Sequence, residues 1–263
     1  MEKKNKFTIG TFFFSILSIV WLAPIFIVLM NSFKKKVFIS KKPFSIPTDK
    51  MFVGLQNYVN GIKKIGFFQS FGYSLWITVA SVVVIILCTS MFAWYITRVK
   101  TKTTTALYYL CAFSMIVPFQ MVMFTLSKLA DMMHLGNPLG IVIVYLGFGA
   151  GLAVFMFCGF VKSIPLEIFF QVVLPVLKPT CISTAILQTM WIWNDYLLPY
   201  LVLDITKYKT IPIAIQYLKG GYGAVDMGAM MAMLVLAIIP IVIFYLFCQK
   251  YIIEGVVAGA VKG

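Results

Sequence analysis

Six long apolar stretches alternate with more polar stretches along this chain of 263 residues. A helix needs about 20 consecutive apolar residues to cross the hydrocarbon core of a bilayer, and each stretch is long enough. The pattern therefore predicts an all-α integral membrane protein, with six transmembrane helices in a single domain covering residues 1–263. The six predicted spans are 7–30, 71–96, 105–126, 139–161, 180–203 and 228–249.

Composition also indicates a membrane protein. Hydrophobic residues make up 61% of the chain and charged residues only 11%, whereas a soluble domain carries about 25% charged residues. The net charge of +14 would suit nucleic acid, but the basic residues are scattered through the polar stretches between the apolar ones. Anionic membrane lipids match that distribution better, and we expect no nucleic-acid partner.

Residues that commonly carry catalysis or bind metal are sparse. His134 is the single histidine, and the five cysteines fall inside or at the edges of apolar stretches without paired spacing. The cysteines are therefore interpreted as small apolar fillers. No glycine-rich loop ending in Gly-Lys-Ser or Gly-Lys-Thr occurs, so the common phosphate-binding motif of ATPases is missing. We expect no metal site, no cofactor and no enzymatic activity; ATP, if used, would be bound by another subunit.

The charge pattern leaves the orientation in the membrane open. An even number of spans places both termini on the same side. Basic residues divide almost evenly between the two sides, because eight lysines lie in the loop from Lys34 to Lys64. The positive-inside rule favours a cytoplasmic N-terminus only if this long loop forms a folded cap and is discounted.

Residues 162–179 lie between the fourth and fifth predicted spans. The centre of this segment is apolar, and charged residues and prolines lie on both sides of it. Pro165 suits the first turn of a helix, and Glu167 complements the positive end of its dipole. Pro175 ends the segment before the next helix begins. A helix this apolar, lying outside the bilayer core, needs a surface to pack against. The sequence leaves two candidates for that surface, lipid headgroups or another protein.

Several different short motifs occur in a recognisable order along nearly the whole chain. They are Asn31-Ser32-Phe33-Lys34, Gly54-Leu55-Gln56-Asn57-Tyr58, Val117-Pro118-Phe119-Gln120, Val173-Leu174-Pro175, Trp193-Asn194-Asp195-Tyr196 and Gln249-Lys250-Tyr251-Ile252-Ile253-Glu254-Gly255. Together they resemble the permease subunits of binding-protein-dependent ABC sugar importers, and are most similar to the type of the maltose permease G chain.

This resemblance implies a type I ABC importer permease in the bacterial plasma membrane, with cytoplasmic N- and C-termini. It implies a heterodimer with a second permease subunit, two ABC ATPase subunits, an extracytoplasmic solute-binding protein and a sugar substrate. The chain would form half of the translocation path and couple to the ATPases through residues 162–179. The residues that the resemblance assigns to this coupling are Pro165, Leu166, Glu167, Leu174, Pro175, Glu254 and Gly255.

The coupling loop also departs from the family pattern. Both flanks match, but the family's Glu-Ala-Ala centre and the glycine after it have no counterpart between Glu167 and Leu174. A helix from Pro165 to Leu174 would be only about 15 Å long. Either a segment has been lost from this sequence or the docking element is shortened. A chain that truly lacks the centre is expected to support only weak or unstimulated ATP hydrolysis.

A stripe of polar and aromatic residues runs along the fifth predicted span. Thr184, Gln188, Trp191 and Asp195 follow one another at steps of four, three and four, which places them on one helical face. Sugars stack on aromatic rings and hydrogen-bond to Asn, Asp and Gln side chains. The predicted substrate path is therefore Gln188, Trp191, Asn194 and Asp195.

Two alternatives stay open. The first concerns the stripe, which could instead belong to an aromatic belt at the membrane–water interface. In that alternative no substrate path is formed and Asp195 contacts water at the edge of the belt, whose members are Trp191, Trp193, Tyr196 and Tyr200. The second concerns function: an ion-coupled secondary transporter would also span the membrane several times. Such transporters usually carry several intramembrane ionisable groups and repeat-related broken helices, whereas the sequence offers Asp195 alone and no evident repeat.

Overall fold

The computed structural model describes residues 9–162, 177–218 and 225–260. These residues are mostly helical and contain no β-sheet, only isolated bridges, which confirms the all-α class. The helices are α1 (Ile9–Ser32), α2 (Lys36–Lys41), α3 (Gln56–Ile65), α4 (Phe67–Arg98), α5 (Lys102–Ser114), α6 (Phe119–Met132), α7 (Pro138–Val161), α8 (Lys178–Asn194), α9 (Leu197–Val202), α10 (Ile211–Gln216) and α11 (Met227–Ala260).

Four of the described helices are long and apolar enough to cross a membrane: α1, α4, α7 and α11. They cover the predicted spans 71–96, 139–161 and 228–249 completely and 7–30 from residue 9 onward. The first, second, fourth and sixth apolar stretches therefore form continuous helices, and the chain is a multi-pass membrane protein.

The third predicted span, 105–126, is wrong as a single helix. The chain forms α5 and α6 there, bent by 106° at the short break between them. Pro118 causes the break, because it has no N–H to donate and it disfavours helical backbone at the residue before it. Pro118 adopts an extended conformation and occupies the N-cap position of α6. This pair makes a fifth crossing only if its two halves are counted together.

The fifth predicted span, 180–203, is also interrupted. Helix α8 ends at Asn194, Asp195 adopts an extended backbone, and α9 resumes for six residues. Neither piece alone is long enough to cross a membrane. The interruption places Asp195 at the junction between two helices, directly after the last residue of α8.

The chain divides into two compact units, of which the first comprises residues 1–67 and 215–240. The polar loop after α1 is folded in this unit, as a capping loop requires. Phe33 stacks on Phe52 with ring centroids 6.1 Å apart, and Asn57 Nδ2 donates to the carbonyl oxygens of Ser32 at 2.7 Å and Lys34 at 2.9 Å. Lys64 forms an ion pair with Asp226.

The second unit comprises residues 68–214 and 241–263. Its apolar core is built on α4, α7 and α8 and includes the fully buried Ile85, Tyr145 and Phe157. Helix α4 also turns small hydroxyl side chains inward, among them Ser74 and Ser81. Ser74 Oγ accepts a hydrogen bond of 2.8 Å from the backbone N–H of Ile211, which fixes the start of α10.

Candidate functional site

Helix α7 lies at the centre of the site because its glycines admit neighbours on two sides. A Cβ added to Gly149 would meet Ile85 Cδ1 at 2.7 Å and Gln188 Oε1 at 3.0 Å, so α4 and α8 approach it there. A Cβ on Gly151 would meet Ser114 Oγ at 2.6 Å, on the side of α5. Small residues permit such close helix packing in lipid, so α7 packs closely against α4, α5 and α8 at these glycines.

The predicted stripe of α8 packs along α7. Gln188 Nε2 donates to the carbonyl of Gly149 at 3.2 Å, and the Thr184 hydroxyl points to the sulfur of Met156 at 3.7 Å. Both Thr184 and Gln188 are buried. The direction of these contacts makes α7 and α8 antiparallel neighbours, with the glycine face of one receiving the polar face of the other.

Tyr145 on α7 joins the two remaining members of the stripe. Its ring lies edge-on to Trp191 with centroids 5.4 Å apart, and its hydroxyl donates to Asp195 Oδ2 at 3.2 Å. The other carboxylate oxygen, Oδ1, accepts from the backbone N–H groups of Leu197 at 3.0 Å and Leu198 at 3.3 Å. Asp195 therefore caps α9 and holds its first turn against α7.

The four predicted path residues thus have different surroundings. Gln188 of α8 is buried against α7, and its Oε1 has no hydrogen-bond partner among the described residues. Trp191 is 40% exposed. Asn194 is exposed and donates from Nδ2 to the carbonyl of Met190 at 2.7 Å. Asp195 is the C-cap residue of α8, and its side chain reaches the same neighbour, Tyr145, as Trp191.

The interfacial-belt alternative fits only some of the aromatic residues. Trp193 is buried, with its ring edge-on to Phe71 at 5.8 Å between centroids. Tyr196 and Tyr200 stack on one another at 5.2 Å, and Tyr200 is exposed. Trp193 is therefore a packing residue of the second unit rather than part of a lipid-facing belt.

Sequence reasoning missed Tyr145. The residue is fully buried and lies 50 positions before its partner Asp195, in a stretch that otherwise reads as apolar and glycine-rich. One signal was available: a phenol within an apolar span needs a hydrogen-bond partner when it is buried, and Asp195 was the evident intramembrane acceptor.

A second feature missed from the sequence is an open cleft of about 870 Å³ beside the turn between α6 and α7. Its two walls are joined by hydrogen bonds from Ser127 Oγ to the carbonyl of Leu201 at 2.8 Å and from Asp204 N–H to the carbonyl of Gly136 at 2.9 Å. Hydrogen bonding by the Thr206 hydroxyl holds the pKa of the Asp204 carboxyl below its usual value. The polar lining comprises Ser127, Lys128, Asp131, His134, Asn137, Asp204, Lys207 and Tyr208.

The predicted coupling residues lie outside what the structure describes. Pro165, Leu166, Glu167, Leu174 and Pro175 fall between the described ranges, together with the shortened centre of the loop. Glu254 and Gly255 belong to the backbone of α11, whose side chains are described only up to Tyr251. Their assignment to coupling remains a prediction.

Comparison with known proteins identifies the family. No family model matches the chain. Over 266 residues it is 37% identical to the probable starch degradation products transport system permease protein AmyC of Thermoanaerobacterium thermosulfurigenes, with 96% of each chain covered. Over 262 residues it is 32% identical to the multiple sugar-binding transport system permease protein MsmG of Streptococcus mutans, with 93% of each covered. The chain belongs to the sugar ABC transport permeases.

The fold of this permease agrees with that family. It superimposes with a TM-score of 0.77 on a chain of a bacterial ABC transporter involved in the import of the acidic polysaccharide alginate. The match covers 92% of the permease and 95% of the solved chain at 18% sequence identity, so it speaks to the fold alone. The third and fifth apolar stretches of this permease are therefore broken helices within a fold that matches a solved ABC transporter chain.

Proposed function

We propose that this permease is one of two transmembrane subunits of an ATP-driven importer of oligosaccharides, and that it forms half of the translocation path. The observation that carries the proposal is its similarity, over nearly the full length of both chains, to permeases named for starch degradation products and for multiple sugars. Separate ATPase subunits and an extracytoplasmic solute-binding protein complete the system. The membrane is the bacterial plasma membrane, with both termini in the cytoplasm.

Within the proposed path, the residues of the stripe have two roles. Trp191 and Asn194 lie one turn apart on α8 and are exposed in the single chain, so they are free to meet a sugar or the second permease subunit. An exposed indole offers the flat apolar surface on which sugar rings stack. Gln188 and Asp195 position this surface instead, because both are tied to α7.

Coupling is proposed at the loop that joins α7 to α8. Helix α7 ends at Val161 and α8 begins at Lys178. With six spans and cytoplasmic termini, the connection between these two helices is proposed to lie on the cytoplasmic side. Pro165, Leu166, Glu167, Leu174 and Pro175 are the proposed contacts with an ATPase subunit, joined by Glu254 and Gly255 near the C-terminal end of the chain.

Reconstitution tests the function directly. The permease should co-purify in mild detergent with a second permease and two ATPase subunits. In proteoliposomes, this complex should take up starch-derived oligosaccharides only when ATP and the solute-binding protein are both supplied. Uptake by the permease alone, driven by an ion gradient without ATP, would instead support the secondary transporter.

The coupling proposal has its own measurement. Glu167→Ala and Leu174→Ala should lower sugar-stimulated ATP hydrolysis in a complex that still assembles. Asp49→Ala, an exposed acid in the loop after α1, is the matched control and should retain the parent rate. Parental stimulation in both loop variants would show that the ATPases are contacted elsewhere.

A further inference from the structure

The loop after α1 carries positive charge that the proposed transport function does not use. Seven of its lysines are exposed, and Asp49 is the single acidic residue between Phe33 and Gly66. Among the described residues, only Lys64 of these lysines lies within ion-pair distance of a carboxylate. The other exposed lysines are Lys35, Lys36, Lys41, Lys42, Lys50 and Lys63.

Large apolar side chains are exposed among these lysines. Phe44 is 78% exposed and Ile46 is 75% exposed, directly after the lysine pair at 41 and 42. Val37 in α2 is also exposed. Such interleaving is unusual for a surface that faces only water, because exposed aromatic and branched side chains gain free energy when they leave water.

A buried clamp fixes this segment against the end of α1. Asn31, in the last turn of α1, donates from Nδ2 to the carbonyl of Ile27 at 2.8 Å and to the carbonyl of Pro43 at 2.9 Å. Lys34 is fully buried and donates from Nζ to the carbonyls of Lys42 at 3.0 Å and Pro43 at 3.3 Å. Phe44 therefore begins beside the C-terminal turn of α1 and cannot move far from it.

The length of α1 indicates that its C-terminal end reaches the headgroup layer when the helix crosses the bilayer. At about 1.5 Å per residue, the 24 residues of α1 span about 36 Å, which exceeds the hydrocarbon thickness of about 30 Å. The apolar window of this helix is wholly exposed in the chain, as lipid contact requires. A segment clamped to its last turn must then lie in the interfacial layer, where lysines meet phosphates and apolar side chains reach the acyl chains.

We propose that residues 35–46 form a binding surface for anionic lipid headgroups, in the leaflet at the C-terminal end of α1. The exposed lysines bind the phosphates, and Phe44 and Ile46 insert beside them. An acidic face of another protein would also satisfy the lysines. Lipid fits better, because the clamp holds the two apolar side chains at the membrane surface instead of projecting them into water.

Photo-crosslinking identifies the occupant. The full-length permease, with whatever subunits co-purify, carries p-benzoylphenylalanine in place of Phe44 and is reconstituted into nanodiscs of phosphatidylcholine with a minority of phosphatidylglycerol. Mass spectrometry should find lipid at this site, with phosphatidylglycerol captured at several times its bulk share. The same group in place of Trp21, an exposed residue in the middle of α1, should capture lipid without headgroup preference. Raising the salt concentration should weaken the enrichment at residue 44, because screening reduces the attraction of exposed charges.

A matched pair of charge variants completes the test. Replacing Lys35, Lys36, Lys41 and Lys42 with Gln should abolish the enrichment of phosphatidylglycerol at residue 44. Removing Lys100, Lys102, Lys128 and Lys207, which are exposed elsewhere, changes the net charge equally and should leave it intact. Capture of a protein subunit at residue 44 would overturn the proposal in favour of a protein partner. Equal capture of both lipids would also overturn it, by reducing the surface to an apolar anchor.

Discussion

The hydroxyl of Tyr145 donates to Oδ2 of Asp195 across 3.2 Å, and this bond joins the N-terminal third of α7 to the gap between α8 and α9. Oδ1 of the same carboxylate receives two backbone N–H groups of α9. One side chain thus fixes the angle at which the broken fifth stretch continues.

Replacing Tyr145 with Phe tests this bond with little change in volume. The phenyl ring keeps its contact with Trp191, but Asp195 loses one of its three donors. We expect a loss of about 0.5–1.5 kcal/mol in the free energy of unfolding, measured by thermal unfolding in detergent, and slower sugar uptake. Tyr109→Phe, at an exposed position, is the control. Equal stability and uptake in Tyr145→Phe and the parent would show that the bond is dispensable.

Replacing Asp195 with Ala should cost more than replacing it with Asn. Alanine removes the acceptor for the first turn of α9 and leaves the buried Tyr145 hydroxyl unpaired, at about 1–3 kcal/mol, whereas asparagine retains one carbonyl oxygen for the cap. At matched expression, sugar uptake should therefore be highest in the parent, lower in Asp195→Asn and lowest in Asp195→Ala. Asp131→Ala, which replaces an exposed acid, is the control and should keep the parent rate. Identical uptake in all four would exclude Asp195 from positioning the site.

Spacing along the helix alone makes Trp193→Ala look like a mild comparison for Asp195→Ala, because Trp193 lies off the stripe. The structure changes that expectation. Trp193 is buried against Phe71, and large-to-small changes at buried aromatic residues cost about 3–5 kcal/mol. A loss of uptake in Trp193→Ala would therefore report unfolding rather than a role in the path.

Two glycines of α7 offer a matched pair for packing. Gly149→Ala adds a methyl group that meets Ile85 Cδ1 at 2.7 Å, so we expect destabilisation of about 1–3 kcal/mol from overpacking. Gly147→Ala adds the same methyl group where nothing lies within 4 Å, and should be neutral or slightly stabilising because alanine favours the helix. Thermal unfolding of both variants measures the difference. Similar midpoints would mean that α4 and α8 retreat freely from α7.

The ion pair between Lys64 and Asp226 predicts a dependence on acid. Burial opposes ionisation of Asp226, but the hydrogen bond from Lys64, the N–H of Ala229 and the positive charge of Lys64 outweigh it, so the pKa of this carboxyl lies below its usual value of 3.8. A lowered pKa means that the stabilisation is fully present above pH 3.8 and is lost as the pH falls through the folded-state value. Lys64 is half exposed, so the effect should be small.

Thermal unfolding from neutral pH down to about pH 3 measures this dependence. Asp226→Asn should remove the acid-range loss of stability while retaining an acceptor for the N–H of Ala229. Lys64→Gln should flatten the profile as well, because the charged partner is gone. An unchanged profile in Lys64→Gln would assign the lowered pKa to the helix N-terminus instead.

The sequence by itself determined the class, the family and four of the membrane-crossing helices. Apolar length decides whether a helix can cross a bilayer, and this property is local, so α1, α4, α7 and α11 follow from the pattern. The signal from Pro118 was also local, but a continuous apolar stretch concealed its consequence, a bend of 106°.

Only the tertiary structure decided which side chains meet. Helical spacing placed Asp195 in line with Gln188 and Trp191, but it did not reveal that α8 ends at Asn194. The Asp195 carboxylate accepts hydrogen bonds from the first turn of α9 and from the hydroxyl of Tyr145. That partner lies 50 positions away, and no periodicity within one helix reports a contact between two. The same holds for Lys34, which reads as one of many loop lysines and is in fact buried on two backbone carbonyls. Periodicity fixes the face of a helix, whereas the end of a helix and the neighbour across it depend on how the whole unit packs.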